Sequence, residues 1–339
     1  MTHHPETGLP QRVALGVLLR SFPPAQVDLV LEAAERREQR QRLLPARLMV
    51  YFTLGMWIFK ALSYEQILAE ILRNAPGLAL PAAAEETASA AAIGRARRRL
   101  GVEPLRLLFE QAAGGSAAPA PASFRGLRPF WLRRLDAGVP ATPANLAGFG
   151  LTARTRMSVL IEDSTGRVTA ADVADAAELP ERVLAGVGPQ DGLLIVDERP
   201  LSARLWTAVE GLGAEQLWPL TDQQQPASAT RLPDGSALGK LTADDGSELV
   251  ARVFSRPGGE RPARLATSIL DHRLAPAAEL AELYDARRAD ADFDAVAAYR
   301  GGDRLDLRSK DPEMVKQELY AMLCVHHAIG DLISGFRRG

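Results

Sequence analysis

The chain of 339 residues has a single cysteine, Cys324, and only four lysines (Lys60, Lys240, Lys310 and Lys316) among its 40 basic residues. One thiol excludes a disulfide framework and any cysteine-rich zinc module. No apolar run reaches the ~18 residues of a membrane-spanning helix. The start carries no basic, apolar, small-residue leader. These absences point to a soluble, cytoplasmic protein that does not engage a membrane. Also missing are an internal repeat, a glycine-rich phosphate loop and a Ser/His/Asp set. Asp234-Gly235 and Asp245-Gly246 lack the further oxygen ligands of a calcium loop and read as hairpin turns. His326-His327 does not converge on one metal, because adjacent helical residues point about 100° apart.

What is present is apolar substance, 47% of the chain, and an uneven charge. The net charge of -2 splits into +3 over residues 1–110 (14 basic, 11 acidic) and -5 over residues 111–339 (26 basic, 31 acidic). Phosphate contact needs local positive charge, so the first third is the better candidate for a nucleic-acid surface. The arginine dominance in an Ala-rich chain also fits a high-GC coding bias, which weakens any one arginine as a recognition signal.

Residues 11–75 read as helices. Pro24 suits a first turn, Pro45 starts a helix apolar almost all round, and Ser63 with Gln66 forms a capping box. Thr87 or Ser89 caps the next helix, which carries Arg95, Arg97, Arg98 and Arg99 and ends near Gly101. These arginines are candidate DNA contacts; a solvated charged face is the alternative. Arg36, Arg37, Arg40, Arg42 and Arg47 interleave with Glu32, Glu35 and Glu38 at helical spacing, which predicts intrahelical pairs. A Gly/Ala/Pro linker follows at 114–123. Beyond it the period changes. Met157–Ile161 and Arg167–Val173 are strands, Leu193–Val196 is a short buried strand ending before Asp197, and Ala203–Gly211 is a helix. Strands and turns fill 217–270, and helices return from Ala275.

Several segments carry a family resemblance: Arg42-Leu43-Leu44-Pro45-Ala46-Arg47, Leu62-Ser63-Tyr64-Glu65, Ala96-Arg97-Arg98-Arg99-Leu100-Gly101, Thr142-Pro143-Ala144-Asn145 and Leu307-Arg308-Ser309-Lys310 with Gln317-Glu318-Leu319. In order and spacing the chain resembles the DDE transposases of the insertion-sequence-four type. The resemblance implies an α/β protein: a helical N-terminal domain followed by an RNase H-like mixed-sheet domain with a β-rich insertion and C-terminal helices. The implied division is 1–113 as a helical DNA-binding-like domain, 114–123 as linker, 124–216 as the first RNase H-like part, 217–270 as the insertion and 271–339 as the helical C-terminal part. It also implies a bacterial protein with DNA as partner, and a homodimer is a compatible assembly.

In such proteins an Asp-Asp-Glu set holds two Mg²⁺ ions for strand cleavage and transfer, because a hard cation takes oxygen ligands. By the resemblance, Asp197 matches the second acid; without it, Asp197 reads as a strand-end acid. Counting back from Val139-Pro140, Arg133 stands at the first acid's position, and arginine has donors only. Asp136 is the nearest substitute, but three residues along a strand turns a side chain to the other face. Pro129 further weakens a central strand. Asp290 takes the third position only with a one-residue deletion; with Asp285, Asp292 and Asp294 it also reads as an acidic helix face. The candidate catalytic residues are thus Asp197, Asp290 and Asp136, with Asp197 and Asp290 as metal ligands and Mg²⁺ as cofactor if the enzyme is active. Three functions follow: a DNA-binding protein of transposase type with lost or impaired catalysis, an active Mg²⁺-dependent transposase, or a scaffold that does not bind DNA.

Overall fold

The computed structural model describes residues 9–38, 40, 42–78, 88–114, 123–173, 181–188, 191–196, 201–256, 263–289 and 305–337. Its helices are α1 (Leu9–Ser21), α2 (Pro24–Ala33), α3 (Ala46–Ile58), α4 (Tyr64–Asn74), α5 (Ala90–Leu100), α6 (Glu103–Gly114), α7 (Pro143–Phe149), α8 (Glu181–Leu184), α9 (Ala203–Gly211), α10 (Ala277–Ala289) and α11 (Pro312–Arg337). Its strands are β1 (Arg128–Gly138), β2 (Arg154–Glu162), β3 (Val168–Asp172), β4 (Gly192–Val196), β5 (Glu215–Leu220), β6 (Ala227–Arg231), β7 (Ala237–Thr242), β8 (Glu248–Arg256), β9 (Ala263–Thr267) and β10 (Leu305–Asp306). The chain divides into two compact units. One comprises Met1–Ser116, Ala137–Arg154 and Arg304–Gly339; the other comprises Ala117–Asp136 and Thr155–Asp303.

The first unit is helical because its apolar positions leave no alternative to burial on all sides. In α3 the run Leu48 to Trp57 is entirely buried. Each such Leu or Phe side chain contributes about 1.5–3 kcal/mol on leaving water. Helix α11 supplies a matching surface with Val315, Leu319, Met322 and Leu323, all buried. The Trp57 indole closes this packing by donating to the Glu318 carbonyl at 2.7 Å. His327 is buried in the same helix, its ring 5.7 Å from that of Phe109. The capping box is formed as the spacing predicts: Gln66 N donates to Ser63 Oγ at 3.3 Å and Ser63 N to Gln66 Oε1 at 2.8 Å. Ser63→Ala is therefore expected to lower stability by about 1 kcal/mol, read from the urea midpoint. Ser89 caps α5 through Ala92 N; Thr87 lies outside the described residues.

Two expectations differ from what this unit shows. The Arg/Glu run after α2 is not helical. Helix α2 ends at Ala33, and Glu35 takes φ +56°, which turns the chain out of the helix. The pairs that form are Arg37–Glu32 at 3.2 Å, Arg42–Glu38 at 3.6 Å and Arg47–Asp28, so none of these three joins two residues of one helix. The C-terminal segment also separates differently from 271–339. Helix α11 and β10 belong with the N-terminal helices. There Leu305 and Asp306 of β10 lie in parallel register with Ala137 and Gly138.

The second unit is a mixed sheet in the order β3-β2-β1-β4-β5-β9-β8-β7-β6. β2 and β3 are antiparallel, and β1, β4 and β5 run parallel. β4 is buried at every position, as a short continuous apolar run in a parallel sheet should be. The insertion continues this sheet: β9 pairs with β5, and β8, β7 and β6 follow as an antiparallel meander. Its hairpins turn at Gly235 (φ +81°) and Gly246 (φ +85°), where a side chain would be strained. Asp234 and Asp245 accept from the backbone of Ser236 and Ser247 at 3.1 and 2.9 Å. Pro129 is tolerated within central β1 because it is the strand's second residue, and its carbonyl still accepts from Asp163 N at 3.0 Å. Among the described residues, no helix is long and apolar enough to cross a membrane.

Candidate functional site

Of the positions expected to carry chemistry, Arg133 and Asp136 lie on β1. β1 and β4 are in register from Arg128↔Gly192 to Leu132↔Val196. The next residue on β1 is Arg133, and the next in the chain after β4 is Asp197. Asp197 and Asp290 both lie outside the described residues.

Side chains on β1 alternate between two faces. Phe130 and Leu132 join the cluster with Val183 and Leu184 of α8 and Leu205, Trp206 and Val209 of α9. Trp131 points to the other face, where its ring lies 5.4 Å from that of Tyr284 on α10. Arg133 shares this second face, its guanidinium carbon 5.4 Å from the Trp131 ring centroid, a cation–π distance. The α10 face brings a further cation: Arg256 of β8 pairs with Asp285 and stacks at 5.5 Å over Tyr284. The β1 position that the family resemblance gives to a metal-binding carboxylate thus carries a stacked arginine.

Asp136, the nearest substitute, lies on β1 in step with Leu132 and Arg134. Its carboxylate accepts from Arg156 Nε at 3.2 Å and faces Arg134 Nε at 3.5 Å. It is only half-buried, and two cations already occupy it. Among the described residues no group of three or more His, Cys, Asp or Glu side chains is placed to hold a metal ion. Of the four expected positions only two are described: Arg133 has donors only and cannot ligate a cation, and Asp136 is paired with Arg156 and Arg134.

The basic helix α5 separates its four arginines. Arg95 is exposed and has no carboxylate partner among the described residues. Arg98 is 58% exposed and reaches Asp311 at 3.5 Å; Arg99 donates to the Leu44 carbonyl at 2.9 Å. Arg97 is a correction. It is fully buried, so it cannot meet a phosphate in the folded chain. Its guanidinium donates to Ser309 Oγ at 3.1 Å, the Tyr64 hydroxyl at 3.2 Å and the Met314 carbonyl at 3.0 Å. Burial pushes its pKa down, although it remains a cation at neutral pH.

Arg97 is the centre of a buried network that sequence reading did not assemble. Ser309 accepts from Arg97 and donates to the Glu318 carboxylate, which also accepts from Arg308 N and Ser309 N, each at 3.0 Å. A buried cation and a buried anion are thus joined through one hydroxyl. Gln317 Nε2 donates to the Arg97 carbonyl at 2.8 Å, Asn145 Nδ2 to the Ser309 carbonyl at 3.0 Å and Thr142 Oγ1 to the Lys310 carbonyl at 2.8 Å. Arg308 donates to the Leu62 carbonyl at 2.9 Å and lies 5.1 Å over the Tyr64 ring. Four of the sequence segments singled out above meet here and hold the helical unit together.

The sheet order β3-β2-β1-β4-β5, with β2 and β3 antiparallel, β1, β4 and β5 parallel and a β-rich insertion before α10, is that of an RNase H-like domain; the other unit is helical. Comparison with known proteins finds similarity to transposases. The family described as "Insertion element 4 transposase N-terminal" matches residues 12–110. The transposase InsG for insertion sequence element IS4 of Escherichia coli (strain K12) is 28% identical over 317 residues, covering 86% of this chain and 70% of the relative. Among solved structures, the piggyBac transposase in a synaptic complex with hairpin DNA aligns over 96% of this chain and 75% of its own, with a TM-score of 0.43 and 10% identity. The chain is thus similar to a transposase of the insertion-sequence-four type over most of its length, and its residues 12–110 match the N-terminal model of that group.

Proposed function

We propose that this chain is a DNA-binding protein of the insertion-sequence-four transposase type in which strand cleavage and transfer are lost or impaired. The observation that carries the reading is Arg133. It stacks on Trp131 on the α10 face of β1, one residue beyond the last registered pair with β4. A guanidinium cannot ligate Mg²⁺. Asp136 would have to leave two arginines and cross the strand to replace the missing acid. DNA contact rests on the basic first third and on the exposed Arg95 and Arg98, with Arg97 set aside as structural.

Binding to a random-sequence duplex should weaken steeply as salt rises, with a linear log–log slope, and should survive Asp197→Ala. Arg95→Ala combined with Arg98→Ala should reduce both affinity and slope. No binding at low salt would favour the scaffold reading instead. An active Mg²⁺-dependent transposase is the second reading, supported by the extent of the relationship to the E. coli transposase, 86% of this chain. It requires metal-dependent cleavage that Asp197→Ala abolishes.

A further inference from the structure

The run after α2, which the sequence suggested as helical, instead forms one wall of a cleft of about 440 Å³ in the helical unit. Arg36, Arg37, Glu38, Arg40 and Arg42 line it from the turn, and Arg99 lines it from α5. The lining holds five guanidinium groups against two carboxylates, Glu35 and Glu38. Glu38, half-buried, braces the cleft. It accepts from Ala46 N at 2.9 Å, which fixes the start of α3, and it faces Arg42 at 3.6 Å and Arg99 at 3.5 Å. Arg37 pairs outside the lining, with Glu32. Arg36 and Arg40 have no carboxylate partner among the described residues.

Arg36 is exposed and lies beside Gly101. It lies along the C-terminal end of α5, where the helix dipole favours a cation. Gly101 makes the room: its φ is +72°, and a Cβ there would stand 3.4 Å from Arg36 Nε. A concave surface with an excess of guanidinium groups, two of them without a carboxylate partner among the described residues, has the chemistry of a phosphate receptor, because the guanidinium fork fits two phosphate oxygens.

We infer that this cleft is a phosphate-binding site that grips the backbone of bound DNA, with Arg36 and Arg40 as its contacting residues. The inference rests on the DNA-binding reading above and assigns it a location. Contact through phosphate positions the strand without reading sequence.

The test is fluorescence anisotropy of the full chain with a labelled random-sequence duplex across a salt series. Arg36→Ala combined with Arg40→Ala should weaken binding about tenfold at low salt and lower the log–log salt slope by about 1 to 2. Arg36→Lys with Arg40→Lys should keep most of the slope, which separates lost charge from lost fold; an unchanged thermal midpoint in both double variants gives the same control. Arg125→Ala, which removes an exposed arginine paired with Glu279, should change neither quantity. Wild-type binding with an unchanged affinity and slope in the double alanine variant overturns the cleft and leaves the DNA-binding reading standing. Absence of wild-type binding overturns both. A parallel titration with inorganic pyrophosphate distinguishes the other source of the same chemistry. Tight pyrophosphate binding that depends on Arg36 and Arg40, without any DNA binding, would overturn the DNA backbone as occupant.

Discussion

Arg97→Ala is expected to destabilise the protein by about 3–5 kcal/mol, whereas Arg98→Ala, one residue away, should change stability by less than about 0.5 kcal/mol. The two arginines differ in surroundings, not in chemistry. Arg97 is fully buried and donates to Ser309, Tyr64 and the Met314 carbonyl. Removing it strips Ser309 of its donor and takes the buried cation away from Glu318, which is 3% exposed and keeps the more distant Lys60 and backbone N–H groups against its charge. A buried pair broken on one side costs far more than the intact pair contributes, because the surviving ion keeps its desolvation penalty. Arg98 is 58% exposed, and its contact with Asp311 is a screened surface pair. Urea unfolding of the two variants, followed by circular dichroism, measures the difference. Equal midpoints would show that the Arg97–Ser309–Glu318 chain does not hold the helical unit. Any loss of DNA binding in Arg97→Ala must accordingly be read as a folding effect.

The second large effect is a null in the wild type. Mg²⁺ or Mn²⁺ should produce no cleavage or strand transfer on duplex DNA, and Arg133→Asp should raise Mn²⁺ affinity at least tenfold. The reasoning is local electrostatics. A guanidinium stacked over Trp131 puts a positive charge at the position that the family resemblance gives to the first acid, and it supplies no lone pair. Arg256, paired with Asp285 on the same face, adds a second cation and removes a carboxylate from use. Replacing Arg133 by aspartate removes the repulsion and adds a ligand in one step. If Arg133→Asp binds Mn²⁺ no better than wild type, position 133 is not the metal-facing position of β1.

Local signals were legible in the sequence, and long-range ones were not. The Ser63–Gln66 box, the Asp-Gly hairpin turns, β4 and α9 follow from short-range rules of capping, turn conformation and period. The RNase H-like order came through the family resemblance, since periodicity alone does not give strand neighbours. The end of α2 escaped, because no glycine or proline marks the turn at Glu35; the cleft built on that turn escaped with it. Arg97 was misread for a different reason. The four arginines of α5 are chemically alike, and composition alone treats them as one patch. The helical period does separate them: Ile93, Ala96, Arg97 and Leu100 form the buried stripe, and Arg95 and Arg98 fall outside it. That spacing could have identified Arg97 as an interior residue. Its partner Ser309, 212 positions away, could not be inferred from spacing at all.

The central claim is that the fold of a strand-transferring enzyme is retained here without its metal centre. Titration of the wild-type chain with Mn²⁺, read by electron paramagnetic resonance beside Asp197→Ala, tests it most directly. The account predicts no tightly held Mn²⁺ whose binding depends on Asp197. Two Mn²⁺ ions bound in wild type and lost in Asp197→Ala would contradict it.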